Sequence, residues 1–176
     1  LDLYTMKRHL GDLKGRKVVI VGDVLHSRVA RSNIWGLSLA GARVVLCGPP
    51  TLLPIEFLHG NHRRDGHPLA SVEVELEIES AVEGADVVMP LRLQLERQHG
   101  AFLPTLREYS KTYGITQELL NSANLGALLM HPGPMNEGIE VSPEVAHGSQ
   151  SVIEEQVYNG VAIRMAILKL LLNPSG

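Results

Sequence analysis

The residue types best able to hold a small anion in this chain are Arg28, Arg92 and Gln94, each placed just beyond an apolar run that ends in or near a turn. Arginine carries a rigid fork of donors that matches a carboxylate or phosphate, so two forks converging beside an amide would clasp a small dianion, most simply a dicarboxylate. Arg92 and Gln94 share one face if the strand direction persists, because side chains alternate with period two. The competing reading is ordinary: Arg28 and Arg92 are solvated, or pair with the nearby Asp23 and Glu96. A third candidate is His131-Pro132-Gly133-Pro134. Its two prolines remove two backbone donors and fix two φ angles, which leaves the carbonyls of a stiff turn free to accept from an N–H-bearing ligand. The same four residues also read as a purely structural turn.

Other chemistries lack their residues. The loop Gly22-Asp23-Val24-Leu25-His26-Ser27 has no G-x-G-x-x-G, so a dinucleotide pyrophosphate has no close backbone cradle. No P-loop or G-x-S-x-G elbow occurs, and Cys47, the single cysteine, has no feature of an activated nucleophile and no disulfide partner. His59, His62 and His67 sit in one polar stretch, but without a fixed helical spacing or a carboxylate pair, so we expect no metal and no cofactor. With 16 Lys and Arg against 19 Asp and Glu, the formal charge is −3, which gives no footprint for nucleic-acid binding. No apolar run is long enough to span a bilayer, and Asp2, Lys7, Arg8 and Asp12 interrupt the start of the chain; a reducing, cytoplasmic setting is expected.

The elements that must position these groups alternate. Lys17–Gly22, Arg43–Gly48, Val72–Leu76, Asp86–Leu91 and Ala127–Met130 read as strands, the first two as continuous β-branched runs buried on both faces. Between them, Ser27–Leu39, with Val29, Ile34, Trp35, Leu37 and Leu39 on one face, reads as a helix, as do Ile78–Glu83 and Gln117–Asn124. A final helix opens at Ser149 or Gln150 and reaches Leu172, with Val152, Ile153, Val157, Val161, Ile163, Ala166, Ile167 and Leu170 forming a wide apolar face. Strand–helix alternation over 176 residues predicts one α/β domain: a doubly wound parallel sheet of about five strands with helices on both faces. In such sheets the ligand lies outside the carboxyl ends of the strands, where Asp23, Arg28, Arg92 and His131 fall.

Taken jointly, Val21-Gly22-Asp23-Val24-Leu25-His26-Ser27-Arg28-Val29-Ala30-Arg31-Ser32, Leu91-Arg92-Leu93-Gln94-Leu95-Glu96-Arg97 and Met130-His131-Pro132-Gly133-Pro134 resemble the C-terminal, aspartate-binding half of the aspartate carbamoyltransferases. Gln156, Asn159, Gly160, Val161, Arg164, Met165 and Ala166 match the last helix of that half. The resemblance implies that Arg28 grips the α-carboxylate of L-aspartate, that Arg92 grips its β-carboxylate, and that Gln94 orients it. It also implies that the carbonyls at Pro132 and Gly133, with the adjoining Pro134 turn, face the carbamoyl group. Asp23, Arg97 and His131 resemble residues standing behind these, and His26 is given no catalytic role.

The implied reaction is attack of the aspartate amine on the carbonyl of carbamoyl phosphate, giving N-carbamoyl-L-aspartate and phosphate for pyrimidine synthesis. The Ser-x-Arg-Thr loop, the His-x-x-Gln segment and the Ser and Lys loop that the family uses for phosphate and oxyanion do not occur in these residues. The resemblance therefore assigns residues 1–15 to the end of an inter-domain helix and linker, 16–150 to the aspartate domain, and 151–176 to a helix packing back toward a carbamoyl-phosphate domain. It predicts a fragment that binds aspartate weakly without turnover, a homotrimer for the full-length chain, and a dihydroorotase or regulatory subunit as further partners. Two alternatives remain: an ornithine-type carbamoyltransferase, which carries His-Cys-Leu-Pro where this chain has His131-Pro132-Gly133-Pro134, and a non-catalytic aspartate-binding module.

Overall fold

Residues 17–21 contain no polar alternation, and the strand they form, β1 (Lys17–Val21), is buried from Val18 onward. Successive side chains go to opposite sides of the sheet. Val18 and Ile20 join Met6, Leu13, Ile34 and Leu37 on one side, while Val19 and Val21 join Ile78, Val82, Tyr109 and Leu120 on the other. The strands β2 (Arg43–Cys47) and β4 (Val87–Pro90) divide in the same way between the two clusters. A parallel sheet needs this cover on both faces, which explains why its strands read as unbroken apolar runs. The computed structural model describes residues 1–60, 67, 69–93 and 105–172.

In chain order the elements are α1 (Asp2–Leu10), β1, α2 (Arg28–Leu39), β2, α3 (Ile55–Leu58), β3 (Glu73–Glu75), α4 (Ile78–Val82), β4, α5 (Leu106–Tyr113), α6 (Gln117–Leu120), β5 (Leu128–Leu129), α7 (Pro143–Ala146) and α8 (Ile153–Leu172). The five strands are parallel and lie in the order β3-β2-β1-β4-β5. From β1 the chain winds outward to β2 and β3; it then returns to β4 on the other side of β1 and winds away to β5. The reversal sits between β1 and β4, whose register pairs Val21 with Pro90. The doubly wound α/β sheet expected from the sequence is therefore present, and its topological switch point is defined.

Three expectations are corrected in detail. Trp35 and Leu39 do not join the buried face of α2; they are 43% and 72% exposed. The inward stripe is Ala30, Asn33, Ile34 and Leu37, because Asn33 Nδ2 donates to Asp2 Oδ2 at 2.7 Å and turns that face toward α1. In α8 the buried residues are Ile153, Gln156, Asn159 and Gly160, while Val157, Val161, Ile167 and Leu170 are exposed. Its inward positions carry amides: Gln156 Nε2 donates to Asp2 Oδ1 at 2.8 Å and Asn159 Nδ2 to Thr5 Oγ1 at 3.0 Å, both on α1. Finally, β4 ends at Pro90, one residue short of the expected Leu91; the shared face expected for Arg92 and Gln94 involves Gln94, which lies outside the described residues.

Candidate functional site

The switch point places the exits of β1, β4 and β5 side by side, since these are consecutive neighbours in the sheet. Leu91 N–H donates to Val21 O at 2.8 Å, and Met130 N–H donates to Val88 O at 3.0 Å, so pairing continues to the edge where each chain segment leaves. Neighbouring strands are spaced about 4.8 Å apart. Asp23 and Arg28, then Arg92, then the His131–Pro134 turn are thus set along one sheet edge in that spatial order.

At the β1 exit Gly22 adopts φ +111, and a Cβ there would stand 2.6 Å from Tyr109 Oη. Glycine is required both for that backbone conformation and for the close approach. Asp23, buried, uses Oδ1 to accept from His26 N–H at 3.1 Å and from His26 Nδ1 at 2.8 Å. Its Oδ2 and the hydroxyl of Tyr109 are buried without a hydrogen-bond partner among the described residues. Burial also pushes the Tyr109 phenol well above its usual value, reinforced by the Glu140 carboxylate, so it stays un-ionised. Ser27 caps α2 by accepting from Ala30 N–H at 3.1 Å. Arg28, the first residue of α2, is exposed, and its side chain makes no hydrogen bond or ion pair among the described residues. Pairing of Arg28 with Asp23 is therefore not what the structure contains; His26 occupies that carboxylate.

The exits of β4 and β5 are organised around a carboxylate absent from the sequence-based expectations. Glu140 is fully buried. Its Oε1 accepts from Leu93 N–H at 2.8 Å and Asn136 Nδ2 at 2.7 Å. Its Oε2 accepts from Asn136 N–H at 2.8 Å and from His131 Nε2 at 3.0 Å. Burial pushes the acid up, but hydrogen bonds from His131, Asn136 and Leu93 outweigh it and hold Glu140 below its ordinary value. His131, also fully buried, accepts from Gly133 N–H at its Nδ1 (2.9 Å), which fixes the proton on Nε2 facing Glu140. His131 N–H donates to Gln156 Oε1 at 2.9 Å. The N–H groups of His131 and Gly133 are both used internally, and Pro132 and Pro134 have none, so the backbone polar groups of this turn that accept no backbone hydrogen bond among the described residues are its carbonyl oxygens. Gly133 has φ +62, and its bond to Pro134 is cis.

A cleft of about 220 Å³ opens at this edge, lined by Asp2, Val29, His131, Pro132, Gln156 and Arg164 among others. It joins the β5 turn to the first turn of α2, where Arg28 precedes Val29. A wider hollow of about 750 Å³ lies at Gly15, Arg43 and Glu73, on the amino-terminal side of β2 and β3. There the Arg43 fork is already closed on Glu73, at 2.7 Å through both Nε and Nη2, and parallel sheets of this class bind at the opposite edge.

Of the residues singled out from sequence, Asp23, Arg28, Arg92, His131, Pro132, Gly133 and Pro134 all lie on the three neighbouring exits; Arg92 is half-buried. Gln94, Glu96 and Arg97 lie outside the described residues, as does His62. Glu140, Gln156 as a partner of His131, and Tyr109 beneath Gly22 were missed as site supports. The one signal for Glu140 was a carboxylate between Ile139 and Val141 in an apolar setting. Among the described residues no group of three or more His, Cys, Asp or Glu side chains could hold a metal ion, and no helix is long and apolar enough to cross a membrane.

Residues 14–171 match the family model for the aspartate/ornithine carbamoyltransferase Asp/Orn binding domain. The chain is 54% identical over 172 residues to the aspartate carbamoyltransferase catalytic subunit of Desulfitobacterium hafniense (strain DSM 10664 / DCB-2), covering 98% of this chain and 52% of that protein. It is 54% identical over 176 residues to the protein of the same name from Heliobacterium modesticaldum, covering 100% of this chain and 53% of that one. Among solved structures, ornithine carbamoyltransferase from Pyrococcus furiosus superposes with a TM-score of 0.79 at 26% identity, over 96% of this chain and 53% of its own. The chain thus spans about half the length of the curated relatives it matches.

Proposed function

Because this chain belongs to the aspartate/ornithine carbamoyltransferase family, we propose that it is the aspartate-binding half of an aspartate carbamoyltransferase. The full protein transfers the carbamoyl group of carbamoyl phosphate to the amine of L-aspartate, giving N-carbamoyl-L-aspartate and phosphate for pyrimidine synthesis. The observation that carries this reading is the switch point. It sets a cationic arm from β1 (Arg28), a second from β4 (Arg92) and a carbonyl-presenting turn from β5 along one edge. Arg28 takes the α-carboxylate and Arg92 the β-carboxylate, with Gln94 beside it. The Pro132 and Gly133 carbonyls accept N–H groups of the attacking amine and the carbamoyl amide, and Pro134 keeps the turn stiff. Asp23, Arg97 and His131 support these groups from behind.

The amine attacks as a neutral nucleophile, so the chain's part is to fix its direction and hold the dicarboxylate in place, an entropic contribution that reaches several kcal/mol. Groups for the leaving phosphate and the tetrahedral oxyanion come from the remainder of the protein. We assign residues 1–15 to an inter-domain helix and linker, 16–150 to the aspartate domain and 151–176 to a helix meeting that remainder. Supporting this, Met165, Leu168, Leu170, Leu171 and Leu172 stand exposed along the outer half of α8, an apolar face that a second domain would cover. The same reading expects a homotrimer in the cytoplasm, with a dihydroorotase or regulatory subunit as a further partner.

Calorimetry with succinate on the 176-residue chain tests the site. Arg92→Ala should weaken binding by roughly 2–4 kcal/mol, the worth of a bidentate charged pair shielded from water. Equal affinity in both proteins would remove Arg92 from the site. L-ornithine, titrated in parallel, should give no heat; preferential ornithine binding would favour the ornithine branch of the family.

A further inference from the structure

Glu140 ties the β4 exit to the β5 turn through a single side chain: Leu93 on one side, Asn136 and His131 on the other. Leu93 directly follows Arg92, and His131 directly precedes Pro132. We propose that Glu140 is a positioning residue that sets the separation between the Arg92 guanidinium and the Pro132–Gly133 carbonyls. The proposal rests on the aspartate-binding reading of this edge and assigns the residue that fixes its geometry.

A carboxylate suits the position as no other side chain does. All four contacts are donors, so an acceptor-only group with two oxygens satisfies each of them. Glutamine keeps the shape but offers one oxygen; its NH2 must face two of the donors. His131 cannot relieve this by changing tautomer, because its Nδ1 is committed to Gly133 N–H. Two of the four bonds are then lost, and the β4 and β5 exits are free to shift against each other while the apolar clusters stay packed.

Amide hydrogen exchange and calorimetry on wild type and Glu140→Gln separate the possibilities. We expect Leu93 and Asn136 amides to exchange at least about tenfold faster in the variant, with Val19 and Val45 amides unchanged. Affinity for L-aspartate should fall at least about tenfold, and for succinate likewise. Exchange that quickens uniformly across the sheet would reduce Glu140 to a stability role, and unchanged aspartate affinity beside loosened exits would overturn the positioning role. If wild type takes neither aspartate nor succinate, the dicarboxylate reading fails by itself. The exchange pattern still reports whether Glu140 holds the two exits, and unaltered Leu93 and Asn136 exchange overturns that too.

Discussion

The two sides of the switch point are built on opposite plans. On the β4–β5 side, Glu140 satisfies four donors, His131 is bonded at both ring nitrogens, and Gln156 bridges its backbone to Asp2. On the β1 side, Asp23 Oδ2 and Tyr109 Oη are buried with no partner among the described residues, and Arg28 stands exposed at the start of α2. On the proposed reading, the difference separates two tasks. Carbonyls that accept from a reacting nitrogen would stabilise it only if they are held in advance, since any reorganisation detracts from their contribution. An exposed cationic arm that meets a dicarboxylate would be free to order when the ligand arrives.

The largest expected contrast is in stability. Glu140→Ala strips a buried hub and leaves its donors unsatisfied, at a cost of about 3–5 kcal/mol. Arg28→Ala removes an exposed side chain and should change stability by no more than about 0.5 kcal/mol, while on the proposed reading it should weaken dicarboxylate binding. Urea midpoints on both variants check this, and comparable losses would erase the distinction between a buried, saturated hub and an exposed arm. The same hub should be visible in acid. Its folded value lies below the ordinary 4.5, so the stabilisation is complete above pH 4.5 and is lost as pH falls through the depressed value. Glu140→Gln should flatten that acid limb relative to wild type.

How far the sequence exposes this plan follows from what each feature depends on. The strands are legible because a sheet covered on both faces needs continuous apolar runs, and residues 17–21 and 43–47 supply them. Arg92 and the His131–Pro134 turn are legible because they stand within two residues of a strand end, and Arg28 because it opens the helix after β1. Glu140 is not, since its partners lie at Leu93 and His131, which only tertiary folding brings together. The stripes of α2 and α8 were misjudged for a related reason: Asn33, Gln156 and Asn159 face inward because Asp2 and Thr5 on α1 satisfy their amides. An amphipathic pattern alone cannot reveal that.

A smaller contrast lies in two glycines, one at the β1 exit and one in the β5 turn. Gly22→Ala meets both an unfavourable φ of +111 and the Tyr109 hydroxyl at 2.6 Å. Since Tyr109 is fully buried, it has little room to yield, and the variant should lose about 3 kcal/mol or more. At Gly133 a Cβ meets nothing within 4 Å, so Gly133→Ala should cost only the left-handed backbone term, about 1–2 kcal/mol. Thermal melts that rank them the other way would place the crowding at the wrong exit.

The smallest effect is expected at Tyr109 itself. Its hydroxyl gives up water on burial and gains no hydrogen bond among the described residues, so removing it costs no interaction. Tyr109→Phe should therefore be neutral or stabilising by up to about 1 kcal/mol. It should also recover part of the Gly22→Ala loss, because the atom nearest the added methyl is gone; a double-mutant cycle should show coupling of at least about 0.5 kcal/mol between these contacting positions. The sign is the sensitive test. Were Tyr109→Phe to destabilise the chain by more than about 1 kcal/mol, the hydroxyl would have a partner in solution, and the β1 side would be as saturated as the β5 side.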